Sequence, residues 1–177
     1  MKNVLKLTLA VVFVMFSSSL FAQKFGRINS QEIIANMAET KEAQTALEAF
    51  ATELQAQMES IQVEFNTKFQ EYQKGAATMS DSVKQIKEKE LTEIQTRLRD
   101  FEQMAQQDIQ KKQMELFQPI QEKAVNAINE VAKAGGYVFV YDVISGSMAY
   151  IDEAAVTDLG PAVRSKLGIT ETPAAAK

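Results

Sequence analysis

The sequence predicts a mainly α-helical protein in which a long antiparallel helical hairpin projects from a small β-sheet oligomerisation body formed by both chain ends. The chain has 177 residues but only 7 Gly and 3 Pro, a composition typical of long helices. Apolar residues follow an 11-residue period through the middle, and strand-like segments occur only near the ends. We therefore expect a body from 23–29 and 135–168, an arm over 30–134 and a flexible tail at 169–177.

The composition excludes several kinds of site. The chain has no Cys and no His, so disulfides, thiolate ligands and the commonest general base are absent. Paired carboxylates such as Glu88 and Glu90 lie on different faces of a helix, which is typical of solvated charge. No Walker-type phosphate-binding motif occurs. We expect no catalysis, no cofactor, no metal and no use of ATP.

The first 22 residues have the pattern of a secretory signal peptide. Lys2 and Lys6 form a basic start, a run of largely apolar residues follows, and the small residue Ala22 is suited to cleavage before Gln23. The run is shorter than the roughly 20 residues that a spanning helix needs, although a membrane anchor is the alternative. Cleavage leaves 17 Lys and Arg against 23 Asp and Glu, a net charge near −6. That charge argues against nucleic acid as a partner.

A strand-to-helix transition follows the predicted cleavage site. The segment from Lys24 to Asn29 is short and strand-like, and Ser30 is the predicted N-cap of the helix that begins the first arm.

The two arms share a helical period of about 3.67 residues per turn, since their apolar residues repeat every 11 residues over three turns. Lys74–Ser82 interrupts the pattern and is the predicted tip, with Gly75 as a C-cap and Ser80 or Asp81 as the next N-cap.

Folding the chain back at the tip pairs both stripes in one antiparallel register, with Ile61 opposite Ile94 and Phe65 opposite Leu91. The predicted hairpin seam consists of Leu47, Phe50, Leu54, Met58, Ile61, Phe65, Phe69, Tyr72, Val83, Ile86, Leu91, Ile94, Leu98, Phe101, Ala105 and Ile109.

Four apolar arm residues lie off or beside the paired rows: Met79, Met104, Met114 and Phe117. Flexible thioether side chains can repack around varied partners, so we expect these four to be binding contacts on the arm. Ordinary helix surface is the alternative for any single one of them.

Pro119 lies inside the second arm, where it cannot donate a backbone hydrogen bond. The apolar rows keep their phase across it, so we expect a continuous but bent helix with Pro119 as a hinge.

The body is predicted from the segment after Gly135 and Gly136, which end the second arm. A strand over Tyr137–Val143 and a return strand over 148–151 form a predicted β-hairpin, and a short helix closes the body at about 159–167. Some 50 residues outside the arm are too few to bury this strand. We therefore expect an oligomer interface made of Val138, Phe139, Val140, Tyr141 and Val143.

The chain resembles the Skp/OmpH family of periplasmic chaperones. The resemblance is carried by the opening KFGRINSQEII, the segment PIQEKAVNAINEVAKAGGYVFVYDV and the ending VTDLGPAVRSKL. It implies a homotrimer with a small β body and helical tentacles, located in the periplasm. It also implies holding of unfolded outer-membrane proteins without ATP.

One feature departs from that resemblance. The best-known family members are strongly basic, whereas this mature chain is acidic, so a lipopolysaccharide contact is doubtful here. Client capture would then depend on apolar contacts and on avidity from several arms. A structural coiled-coil protein that tethers or spaces one envelope partner is the alternative function.

Overall fold

The computed structural model describes residues 23–146 and 148–169, and it confirms the predicted fold class. In chain order the elements are β1 (Lys24–Ile28), α1 (Ser30–Ala35), α2 (Ala38–Gly75), α3 (Asp81–Ala134), β2 (Tyr137–Asp142), a 3₁₀ turn (Val143–Ser145), β3 (Val156–Asp158) and α4 (Gly160–Leu167). The predicted signal peptide and tail residues 170–177 lie outside the described residues.

The sheet has three strands in the order β2-β1-β3, and β1 is parallel to both neighbours. The predicted β-hairpin is therefore wrong. Residues 148–151 form no strand, and the third strand lies further along, on the other side of β1. Parallel neighbours require a long crossover, and here the entire arm connects β1 to β2.

The inner face of the sheet packs on the helices. Gly26 and Ile28 of β1 are buried, and Val140 of β2 packs against the same core. A Cβ at Gly26 would collide with the Leu159 side chain, so the missing side chain lets that leucine lie directly on the sheet. The buried apolar core consists of Ile28, Ile33, Met37, Ala43, Ile120, Ala124, Ala127, Leu159 and Val163.

The first arm begins with two helices where one was predicted. Asn29 is the N-cap of α1, because its Oδ1 accepts a 3.0 Å hydrogen bond from the Glu32 N–H, and Ser30 is already helical. The chain then breaks between α1 and α2. The buried Thr40 bridges this break by donating a 2.5 Å hydrogen bond from Oγ1 to the Ile34 carbonyl.

The long helices begin and end close to the predicted residues. α2 ends at Gly75, α3 begins after Ser80 and continues through Pro119, and α3 stops at a glycine pair. Gly136 has φ 69°, the left-handed conformation that favours glycine after a helix. At about 1.5 Å per residue, α2 and α3 are about 57 and 81 Å long.

The closing helix α4 contributes two buried residues, Gly160 and Val163, to the base of the arm. The predicted tail begins one residue too early. Ile169 packs against the core, and its N–H donates a 3.0 Å hydrogen bond to the Arg164 carbonyl.

Candidate functional site

Thirteen of the sixteen predicted seam residues are buried or half-buried in the hairpin of α2 and α3. Leu91 and Ile94 are buried. Half-buried members are Leu47, Phe50, Leu54, Met58, Ile61, Phe65, Tyr72, Leu98, Phe101, Ala105 and Ile109. These apolar side chains are thus at least partly protected from solvent in the hairpin.

Near the tip, charged residues replace apolar ones in the seam. Ile86 is 65% exposed, so its predicted place in the seam is wrong. The next residue, Lys87, is half-buried and lies 3.2 Å from Glu90, which also pairs with Lys68 of α2. Since this charged cluster occupies the space between the helices, Ile86 remains on the surface. Phe69 and Val83 are exposed as well.

Side-chain contacts between the arms are displaced from the predicted register. That register places Glu64 opposite Thr92, yet the carboxylate of Glu64 pairs with Arg97. Helical side chains lean toward the N-terminus of their own helix. In an antiparallel pair the side chains of the two helices therefore lean in opposite directions. A residue of one helix then contacts a residue of the other helix that lies about one turn away from the residue at the same height along the arm. Because the apolar stripes recur every three or four residues, the same stripes still face each other.

The four predicted contact residues do not share one environment. Met104 and Met114 are 55% and 63% exposed, as a binding contact requires. Met79 is half-buried and folds over Gly75, so it closes the tip. Phe117 packs against the core at the base of the arm. The prediction of Met79 and Phe117 as free binding contacts is therefore wrong, because the fold uses both side chains.

A groove of about 900 Å³ lies between α2 and α3 at mid-arm. Three apolar residues line it: the half-buried Ile61 and Phe101, which we call its floor, and the exposed Met104. Sequence reasoning missed this groove, since it depends on short side chains beside the seam that carry no periodic signal. The remaining lining residues are Gln57, Ser60, Glu64, Thr92, Glu93, Thr96, Arg97 and Asp100.

The outer face of the sheet carries aromatic side chains that remain exposed. Phe25 of β1 lies in register with Phe139 of β2 and Val156 of β3. Phe139 is 48% exposed, and the neighbouring Val138 is 65% exposed at an irregularity in the register. Val143, which follows β2, is exposed too.

One member of the predicted interface belongs elsewhere, and a second is only partly exposed. Val140 faces the core of its own chain, because alternate residues of a strand point to opposite faces. Tyr141 lies on the outer face but is half-buried. The prediction that Val140 is an interface residue is therefore wrong, and Phe25 is an outer-face aromatic residue that the sequence reasoning missed.

Hydrogen bonds between elements shift several pKa values. The bond from Lys68, followed by that from Lys87, lowers the pKa of Glu90, and the same pairing raises the pKa of Lys68. A bond from Lys123 lowers the pKa of Glu39 at the base of the arm. The Glu90–Lys68 and Glu39–Lys123 pairs each join α2 to α3.

Two further shifted groups lie outside those clusters. The 2.5 Å hydrogen bond that the Tyr72 hydroxyl donates to Glu88 raises the pKa of the tyrosine. The bond from Lys166 of α4 lowers the pKa of Glu130 on α3, so it fastens the closing helix to the arm.

These features define a helical-hairpin protein whose long coiled arm stands on a small parallel sheet. The chain belongs to the outer membrane protein (OmpH-like) family, whose model matches residues 24–167. No helix within 23–146 or 148–169 is long and apolar enough to cross a membrane.

A solved structure shares this fold. It is the crystal structure of an OmpH-like protein from Caulobacter crescentus that is proposed to be an outer membrane chaperone. The TM-score is 0.71 at 12% sequence identity, over 82% of this chain and 83% of that one. A search of curated proteins finds no significant match.

Proposed function

We propose that this protein is an envelope chaperone that holds unfolded outer-membrane proteins without ATP. The observation that carries the proposal is the apolar surface that the arm leaves uncovered. Met104, Met114 and Ile86 are each more than half exposed on α3, although the arm has a seam in which apolar side chains are protected. The OmpH-like family assignment supports the same role.

Isolated apolar residues on a long arm suit a weak and adaptable binder. Each exposed methionine can bury its flexible side chain against a different client sequence. A single contact of this kind is weak, so retention of a client requires several contacts at once. Multiple arms held together would raise the effective concentration of the remaining contacts after the first one forms.

The same proposal includes a homo-oligomer assembled through the outer face of the sheet, and the resemblance to the Skp/OmpH family implies that it is a trimer. Phe25 and Phe139 are exposed there, Val138 is exposed beside them at the irregularity in the register, and the described part of the body is too small to cover all three. Joining several sheets would bury these side chains and direct the arms into a common space. The body would thus hold the arms while the arms hold the client.

We place this activity in the periplasm. The support is the signal-peptide pattern of the first 22 residues, with cleavage between Ala22 and Gln23, and the family of outer membrane proteins to which the chain belongs.

An aggregation-suppression assay tests the proposal. An unfolded outer-membrane β-barrel protein is diluted from urea with and without the mature chain, and light scattering is followed in the absence of ATP. We expect suppression at near-stoichiometric amounts, and a double variant Met104→Ser and Met114→Ser to suppress several-fold less. Thr45→Ser with Thr52→Ser provides an arm control, since both threonines are exposed and bond only within α2. Unchanged scattering with the wild-type chain would refute the holding function.

A further inference from the structure

The mid-arm groove combines an apolar floor with an excess of negative charge. Its floor residues, Ile61 and Phe101, are seam members that remain only half-buried. Ser60 of α2 and Thr96 of α3 face the gap with short side chains, which leaves the floor accessible. The groove therefore has space for an apolar side chain, which would contact both α2 and α3.

The charges around the groove do not cancel. Arg97 is engaged by Glu64 in an ion pair across the groove. Glu93 has only an i,i+4 partner, Lys89, at 3.8 Å, and both side chains are largely exposed. The carboxylate of Asp100 has no hydrogen-bond or ion-pair partner among the residues that the structure describes. The lining thus has three carboxylates against one guanidinium.

We infer that this groove binds a short client segment in which an apolar residue is flanked by lysine or arginine. The apolar side chain would enter above Ile61 and Phe101, and the flanking cation would lie near Asp100. This inference rests on the proposed holding function and names the chemistry that one arm prefers. It predicts a preference for basic over acidic segments, in keeping with the acidic charge of the chain.

The apolar floor provides most of the affinity for a client segment, and the charges around it provide the selectivity between basic and acidic segments. Exposed ion pairs contribute little each, so two of them correspond to a preference of about five- to tenfold at low salt. Because the Debye length falls from about 10 Å at 0.1 M salt to about 3 Å at 1 M, the preference should largely disappear at high salt. Apolar contact persists at high salt, so binding itself should remain.

The test uses two fluorescent peptides that differ only in their charged ends, Lys-Leu-Phe-Leu-Lys and Glu-Leu-Phe-Leu-Glu, titrated with the full mature chain by anisotropy. We expect the basic peptide to bind about five- to tenfold more tightly at 0.1 M salt and nearly equally at 1 M. Asp100→Asn should reduce the preference to about twofold at 0.1 M. Equal affinity for the two peptides at 0.1 M salt would overturn the inference.

A second pair of variants locates the binding. Ser60→Leu fills the groove and should weaken both peptides at least about fivefold, since loss of a fully buried leucine-sized contact is larger than that. Ala49→Leu adds the same side chain at an exposed position of α2 outside the lining and should change neither. If Ser60→Leu weakens the peptides no more than Ala49→Leu does, binding does not depend on the groove and the inference is wrong.

Two further outcomes separate this inference from neighbouring ones. A changed sedimentation coefficient for Ser60→Leu would mean that a second copy occupies the groove, which overturns the client assignment. Aggregation suppression without any peptide preference would refute the groove inference and leave the holding function intact. Peptide binding as expected, without aggregation suppression, would support the groove inference and refute the holding function.

Discussion

Replacing Phe139 by serine tests whether the outer face of the sheet is the oligomer interface. A phenylalanine side chain presents at least about 150 Å² when fully exposed, and Phe139 retains 48% of its exposure in the single chain. An interface that covers the remainder would bury about 70–100 Å² at this position. At about 25 cal/mol per Å², that burial stabilises the interface by about 2 kcal/mol per copy.

Phe139→Ser should therefore weaken each subunit contact roughly thirtyfold, because 1.4 kcal/mol corresponds to a factor of ten. Sedimentation velocity across a wide concentration range measures the effect as a shift of the dissociation midpoint. The matched control is Val140→Ala on the inner face of the same strand. It removes two methyl groups from the core, so it should lower the free energy of unfolding by about 1–2 kcal/mol and leave the oligomer intact.

The contrast between these neighbours decides the assignment of faces. An unchanged midpoint for Phe139→Ser, with dissociation produced by Val140→Ala, would show that the faces of β2 are reversed. An unchanged midpoint for both variants would show that this face is not an interface. Unfolding of Phe139→Ser is distinguished from dissociation by circular dichroism on the same samples.

Three further predictions concern pH, the arm and the leader. Since the pKa of Glu90 is lowered in the folded chain, its contribution to stability is present above the ordinary carboxyl range and is lost as the pH falls through the lowered value. The thermal unfolding temperature should fall at acidic pH in the wild type and fall less in Glu90→Gln. Identical pH profiles for the two proteins would contradict a stabilising role for the ion pairs of Glu90. Pro119→Ala should restore a backbone hydrogen bond and stiffen α3. Small-angle X-ray scattering should then show a narrower distribution of arm dimensions than in the wild type. Equal distributions for the two proteins would contradict a hinge at Pro119. Intact mass of the exported protein should show cleavage between Ala22 and Gln23, and a mass that includes the leader would indicate a retained anchor.

The arm was predictable from the sequence because its information is local. Each turn of α2 and α3 repeats the apolar spacing, and Gly75 and Gly135 mark the ends with residues suited to helix termini. The break at Asn36 escaped prediction since no Gly or Pro marks it, and Thr40 stabilises it through a contact six residues back in the chain.

The sheet was not predictable in the same way. Whether β2 pairs with the segment after it or with β1 depends on contacts between the two chain ends, and the apolar pattern of Tyr137–Asp142 is compatible with both. The prediction for the seam near the tip was wrong for a related reason. Periodicity favours Ile86 over Lys87, but Glu90, which also pairs with Lys68 of α2, compensates the charge of the half-buried lysine.

The most direct test of apolar holding is the salt dependence of client binding. The affinity of the mature chain for an unfolded outer-membrane β-barrel protein should be measured at 0.1 M and 1 M salt, for the wild type and for the Met104→Ser, Met114→Ser double variant. We predict that the wild-type affinity persists or increases at 1 M salt, because screening weakens charge contacts while apolar contacts remain. The double variant should bind several-fold more weakly at both concentrations. Binding that collapses at 1 M salt and is unaffected by the two substitutions would contradict the account and assign client capture to charge.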